Sequence, residues 1–218
     1  MNTKNRPEFY IHHLETSIQN AQQGISRLDS NILSLPGMSS SLVRHFLNNV
    51  CALPRTSYLE IGCWQGSTLI SALYGNKETL VDAVAIDNWA LHPEQNNKVK
   101  FLRNIETYLP EYPLRFFEQD CFSVDVKTVF KNPITTYFYD GNHSANSHEK
   151  AFTYFNDIFA DTFIAIIDDW NWERVQKGTK LAFEKLNYHI HYEQEFFTKG
   201  NDSHDWWNGV YVAVIEKS

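Results

Sequence analysis

Two stretches of the chain concentrate the side chains best able to do chemistry. The first is Asp140-Gly141-Asn142-His143-Ser144, and the second is the pair Asp168-Asp169, which begins twenty-eight residues after Asp140. Each follows an apolar run, residues 134–139 and 163–167, that reads as a β-strand. If these strands are neighbours in a parallel sheet, the three carboxylates come to one edge. Like charges held that close either raise a pKa or recruit a cation. An all-oxygen donor set suits a hard ion such as Mg²⁺, with water and substrate oxygens completing the shell; Mn²⁺ and Ca²⁺ stay open. Zinc asks for more nitrogen or sulfur than the single imidazole of His143. The same residues also read as loop and helix caps that hold no metal.

A second constellation lies earlier. Residues 57–61 form a short apolar run that enters Glu60-Ile61-Gly62-Cys63-Trp64-Gln65-Gly66-Ser67-Thr68. Two glycines four apart let the backbone pass close under a ligand, and Ser67-Thr68 can cap the helix that follows. The next strand, residues 80–86, ends at Asp87, an acid placed to accept both hydroxyls of a ribose. The turn lacks the middle glycine of a dinucleotide fingerprint and the Gly-Lys-Ser/Thr ending of a phosphate loop. These features point to an adenosine-like ligand without a pyrophosphate.

The elements that must position these groups alternate along the chain. After residues 36–37 (Pro-Gly) a helix carries Leu42, Val43, Phe46, Leu47 and Val50 on one face. Strands and helices then follow in turn. One helix, residues 96–109, has Val99, Leu102, Ile105 and Leu109 spaced for one face. Another opens near Asn146, with Glu149 three residues later as in a capping box. The last two strand-like runs, 189–197 and 210–215, have only a polar loop between them and must be antiparallel. The expected architecture is an α/β three-layer sandwich with a mostly parallel sheet ending in an antiparallel hairpin.

The first 35 residues read as a helical extension to a domain spanning 36–218. Leu14, Ile18, Ala21, Ile25, Leu28, Ile32 and Leu35 follow a heptad spacing. That seam fits either one amphipathic helix laid on the domain or a helix pair joining two copies into a homodimer. Replacing Ile25 with Asp is expected to destabilise either contact.

The segment Tyr58-Leu59-Glu60-Ile61-Gly62-Cys63-Trp64-Gln65-Gly66-Ser67 resembles the first motif of class I S-adenosylmethionine-dependent methyltransferases. The resemblance covers residues 36 to 218 and implies a Rossmann-like, seven-stranded sheet with the terminal hairpin inserted. It implies cofactor contacts from Glu60, Gly62, Gly66 and Ser67, a ribose contact from Asp87, adenine packing by Trp89 and an adenine contact from Asp120. The motifs after strands four and five resemble more narrowly the macrocin O-methyltransferase type. In that type the acids, here Asp140, Asp168 and Asp169, hold a divalent metal that orients a substrate hydroxyl. The resemblance therefore implies O-methylation of a small molecule, the metal favouring the ionised form of its hydroxyl and Asp140 or His143 acting as the base. Nitrogen or protein methylation without a metal, and a non-catalytic binding protein that keeps the fold, are the competing readings.

Composition narrows the partners. Acids outnumber bases 26 to 19, for a net charge of −7, which argues against binding a nucleic-acid backbone. No apolar run approaches the ~20 residues of a membrane span, and the N-terminal residues do not read as a secretory signal. Three cysteines without CxxC spacing read as unpaired buried thiols of a cytoplasmic protein. On the substrate side, Trp170, Trp172, Trp206 and Trp207, with His204 and Asp205, suit a sugar or a planar aromatic. The polar loop 199–203 is long enough for a lid.

Overall fold

A computed structural model describes residues 6–200 and 204–218. Residues 201–203 of the expected lid lie outside the described residues. The seven strands are β1 (Thr56–Ile61), β2 (Leu80–Asp87), β3 (Leu114–Glu118), β4 (Ile134–Tyr139), β5 (Phe159–Asp168), β6 (His189–Phe196) and β7 (Val210–Glu216). They form one sheet in the order β3-β2-β1-β4-β5-β7-β6. The first five run parallel, and β7 pairs antiparallel with both β5 and β6. The architecture is the Rossmann-like three-layer sandwich, with β7 inserted between β5 and the edge strand β6. Ile61 pairs with Tyr139 and Tyr139 with Ile167, so β1, β4 and β5 end level with one another.

The central strands are apolar on both faces because helices cover both. One face packs on α1 (Pro7–Gln22), α3 (Ser41–Val50), α4 (Ser67–Leu73) and Phe101 of α5 (Asn97–Tyr108). The other packs on α6 (Val126–Val129), α7 (Ala145–Thr153) and α8 (Glu173–Leu186). Along β5 the sides alternate: Ile164 and Ile166 face the first layer, Phe163, Ala165 and Ile167 the second.

Several expectations need correction. The N-terminal seam is not one helix. Gly24, in a left-handed conformation (φ 67°), follows the end of α1, and the chain resumes as the short helix α2 (Ser30–Leu33). Leu14, Ile18 and Ala21 are buried on α3 of the same chain, whereas Ile25 is 51% exposed. The polar residues Asp29-Ser30-Asn31 start α2 instead of extending α1, with Asp29 accepting from the N–H groups of Asn31 and Ile32. In α5 the buried side is Asn97 and Phe101, leaving Val99 and Leu102 exposed, because a helix at the rim of the sheet buries a narrow stripe. The cap of α7 is Ser144, whose hydroxyl accepts from Ser147 N–H, two residues before the expected Asn146 box. Among the cysteines, Cys51 and Cys63 are buried, but Cys121 is partly exposed. No helix among the described residues is long and apolar enough to cross a membrane.

Candidate active site

The carboxyl ends of β1, β2, β3 and β4 surround a cavity of about 620 Å³, within the range of small-molecule sites. Gly62 makes its floor possible. Its φ is 88°, and a Cβ there would lie 1.9 Å from the Asp140 carbonyl oxygen, so only glycine lets the β1 turn pass under the end of β4. The two strand ends are tied there, with Asp140 N–H donating to Ile61 O at 2.9 Å.

On the β2 side, Asp87 is fixed before any ligand arrives. Its two oxygens accept from the backbone N–H of Trp64 (2.8 Å) and of Trp89 (2.7 Å). The Trp89 indole N–H donates to Trp64 O at 2.7 Å, and its ring packs on Phe101 at 5.1 Å. Trp89 borders the cavity but is only 8% exposed, so most of its ring props the turn. Asp120 and Phe122 form the opposite wall; Asp120 is exposed and accepts from Phe122 N–H at 2.7 Å.

Three residues expected at the cofactor do not border this cavity. Glu60 is fully buried below the turn, accepting from the hydroxyls of Tyr58 and Thr68, each at 2.7 Å. Burial pushes its pKa up to about 8; the two hydroxyls pull it down, and Asp140 and Asp87 push it further up. Gly66 is itself the N-cap of α4, with no side-chain cap from Ser67 or Thr68, and is covered by Phe101. Ser67 is buried with its hydroxyl against Gly37. The structure adds Trp64, which the sequence reading passed over. Trp64 stands in the glycine turn with φ 45°, borders the cavity and keeps a buried indole N–H without a partner among the described residues. A large ring where dinucleotide folds keep their middle glycine was the available signal.

At the ends of β4 and β5 the carboxylates face one another. His143 Nε2 lies 2.8 Å from Asp169 Oδ2 and 3.6 Å from Asp140 Oδ1. These are ion-pair contacts lacking the alignment of a hydrogen bond. One donor atom from each of Asp140, His143 and Asp169 falls within 4.8 Å of the others. Asp168 is not in that set. It continues the side of β5 that carries Ile164 and Ile166, is 4% exposed, and keeps Oδ1 without a hydrogen-bond partner among the described residues. Asp169 reaches the cluster because its backbone turns into the left-handed region (φ 56°), a conformation costly for a non-glycine residue.

The electrostatics follow from this packing. Burial raises the Asp140 pKa to about 6, with His143 opposing and Asp169 adding to the rise. Burial also raises Asp168, helped by the charges of Asp140 and Asp169. For His143 burial works downward, but Asp140 and Asp169 outweigh it and lift the pKa to about 9. At neutral pH this imidazole holds its proton and is the cation between two carboxylates.

Distant segments hold the cluster in place. Asn208, in the loop before β7, donates to Asp169 Oδ1, and its carbonyl accepts from Asn171 N–H at 3.1 Å. Asn171 in turn exchanges two hydrogen bonds with the backbone of Thr198. The tryptophans divide their roles. Trp170 is fully buried, stacked on Tyr211 at 4.4 Å, and Trp206 is stacked on Phe196 at 4.0 Å. Trp172 is half-buried, edge-on to the His143 ring at 4.6 Å and covered by the Arg174 guanidinium at 4.6 Å.

A divalent cation fits this edge: two carboxylates and one imidazole converge, and the imidazole nitrogen lacks an aligned partner. The donor chemistry differs from the all-oxygen Asp140, Asp168 and Asp169 set expected from the sequence.

The fold is a seven-stranded Rossmann-like sandwich, with a cavity running from Asp87 and Asp120 to Asp140 and His143. Solved structures share the fold. A methyltransferase of Podospora anserina, crystallised with S-adenosylhomocysteine, superposes with a TM-score of 0.60 at 12% identity over 100% of this chain and 89% of its own. An O-methyltransferase of Bacillus cereus, in complex with the same molecule, gives 0.58 at 15% identity over 94% and 91%. A precorrin 8W decarboxylase of Methanobacterium thermoautotrophicum gives 0.55 at 13% identity over 85% and 94%. No protein-family model and no curated protein sequence matches the chain.

Proposed function

We propose that the chain transfers a methyl group from S-adenosylmethionine to a hydroxyl of a small molecule, assisted by a divalent cation. The observation that carries this reading is the continuous cavity joining Asp87 and Asp120 to Asp140 and His143. Asp87 is pre-oriented by two backbone N–H groups, yet each of its oxygens keeps a lone pair for a ribose hydroxyl. Phe122 and Trp64 supply apolar walls for an adenosine. When bound, the cofactor supplies an electrophilic methyl group and the cation supplies charge that favours an ionised hydroxyl.

The chain's own residues do the rest. Asp140 and Asp169 would hold the cation, and Asp140 and His143 border the cavity where a hydroxyl would meet the methyl group. Trp172 and Asn208 restrict the His143 ring and the Asp169 carboxylate, preserving a near-attack geometry. Asp140 stays ionised at neutral pH and is the better proton acceptor; His143 becomes a base only after losing its own proton.

The test is calorimetric titration with S-adenosylmethionine and S-adenosylhomocysteine, followed by methyl transfer to a panel of hydroxyl compounds with and without a chelator. Binding in the micromolar range with chelator-sensitive turnover supports the reading; absence of binding overturns it. A second, metal-free reading draws on one observation, the protonated His143 already lying between Asp140 and Asp169. It predicts chelator-resistant transfer to a nitrogen or protein acceptor.

A further inference from the structure

We infer that His189, His191 and Glu216 form a separate cation site, remote from the cavity, that takes a borderline transition ion such as Zn²⁺ and pins the last two strands of the sheet together. The site has no part in methyl transfer and does not depend on it.

The strand pattern brings the three side chains together. Residues two apart on a strand share a face, so His189 and His191 project side by side from β6, their rings 4.3 Å apart and nearly perpendicular. Glu216 of β7 lies directly opposite His189 in the antiparallel register and shares that face. Its Oε2 is 2.6 Å from His191 Nε2. The register slips between Ile190 and Tyr192, which leaves His191 as the extra residue of a bulge. Bulges bend a strand and re-aim the side chain they carry. Because β6 is the edge strand, solvent reaches the group. The remoteness from the cavity follows from β7, which runs from Val210 opposite Asp168 to Glu216 opposite Thr162. At about 3.4 Å per residue, the two ends of that strand are about 20 Å apart.

The surroundings leave these donors to an ion. Among the described residues, Glu216 pairs with no lysine or arginine; its one ion pair is with His191. The neighbouring Lys217 sends its ammonium elsewhere, to the carbonyls of Asn156 (3.2 Å) and Phe159 (2.6 Å). The frame is tied on both sides: Lys217 N–H donates to Asp161 O at 2.8 Å, and the Ser218 hydroxyl donates to Asn187 O. Two donors are therefore already together. The third must turn in, since only the Asp140 set has three donors within 4.8 Å of one another among the described residues. His189 is exposed, and its ring already touches that of His191, so rotation about its own side-chain bonds closes the set. The ion then takes the place of the proton that bridges His191 and Glu216.

Ion preference follows from the donors. Two imidazoles and one carboxylate match the three-ligand sets of Zn²⁺, with water in the fourth position. Mg²⁺ and Ca²⁺ call for oxygen ligands, whereas imidazole suits Zn²⁺, Cu²⁺ and Ni²⁺. An ion bound here links the first residue of the edge strand to the last residue of β7, and so holds the open end of the hairpin closed.

The experiment uses chelator-stripped full-length chain, as wild type and as Asp169→Asn, which removes a donor from the acidic edge of the cavity. Each is titrated with Zn²⁺ in competition with a chromophoric indicator. The expected result is a micromolar site that survives Asp169→Asn and is weakened about tenfold or more by each of His189→Ala, His191→Ala and Glu216→Gln. His92→Ala, at the other exposed His–Glu pair, should stay within about twofold of wild type. Saturating Zn²⁺ should raise the melting temperature of wild type by a few degrees, and the three site variants should lose that rise. Should a site variant fail to fold, the wild-type histidine ring ¹⁵N spectrum decides, because His189 and His191 must shift together on adding Zn²⁺. No Zn²⁺ binding at about 0.1 mM overturns the inference. So does binding that His189→Ala leaves intact, which would reduce the group to a His191–Glu216 ion pair, or binding that Asp169→Asn abolishes, which would place the ion at the cavity.

Discussion

The two halves of the cavity solve the problem of placing carboxylates in opposite ways. At the ends of β2 and β3 each acid is satisfied locally: Asp87 by the N–H groups of Trp64 and Trp89, Asp120 by that of Phe122. At the ends of β4 and β5 the acids are partly or wholly buried and face one another across one histidine. In the first half the acids are held by backbone N–H groups. In the second, burial first and the neighbouring carboxylates second raise Asp140 and Asp168, while Asp140 and Asp169 together stabilise protonated His143. Binding sites gain from pre-satisfied geometry, whereas a reacting edge benefits from charge that a ligand or ion completes.

Breaking the second half should have the largest effect. Asp169→Asn removes a charge beside His143 and should lower turnover about 100-fold or more, with cofactor affinity within about threefold. Steady-state kinetics beside calorimetry checks the split; equal losses in both would erase the distinction between the halves. Breaking the first half should do the converse. Asp87→Ala should weaken S-adenosylmethionine binding about 10–100-fold, since a charged hydrogen bond is worth about 1.5–3 kcal/mol.

The seam between the halves is Gly62. Gly62→Ala would drive a methyl into the Asp140 carbonyl and strain a left-handed backbone, the strain alone costing on the order of 1–3 kcal/mol. A fall in melting temperature of roughly 5–10 °C is expected for a chain of this size, and cofactor affinity should fall with it.

Glu60 sharpens the comparison through pH. Its folded pKa of about 8 stands above the usual glutamate value of 4.5, so the folded state binds the proton more tightly than the unfolded one. Its stabilising contribution is fully present below about pH 4.5 and is lost as pH rises through about 8. Thermal melts between pH 5 and 9 should show that decline flattened in Glu60→Gln. An unchanged pH profile would place the charge elsewhere.

The smallest effect should come from Ile25→Asp. The heptad reading makes it disruptive, but Ile25 is half exposed, and a surface change of this kind stays within about 0.5 kcal/mol. Leu14→Asp, at a fully buried position of the same seam, should unfold α1 from α3 and lower the melting temperature by several degrees, as circular dichroism would show.

What the sequence determined by itself was local. Apolar runs of strand length, the helices between them and the hairpin after α8 are set by side-chain periodicity, and the strands lie close to where that periodicity puts them, except that β5 begins four residues before the run at 163–167, at Phe159. Strand ends are equally local, so Asp87 and Asp140 were legible as groups at the carboxyl edge. The tertiary structure decided which groups meet. Strand parity sends Asp168 to the side of Ile164 and Ile166, and only the left-handed backbone at Asp169 swings the second acid of the pair toward His143. Glu60 satisfies the same motif as its neighbours in sequence, yet the alternation of β1 turns it inward to Tyr58 and Thr68. Asn208 reaches Asp169 across 39 residues of chain. The physical reason is common to these cases. Periodicity specifies how a residue points relative to its own backbone, whereas the partner it meets depends on which other backbones pack alongside, and no local pattern carries that information.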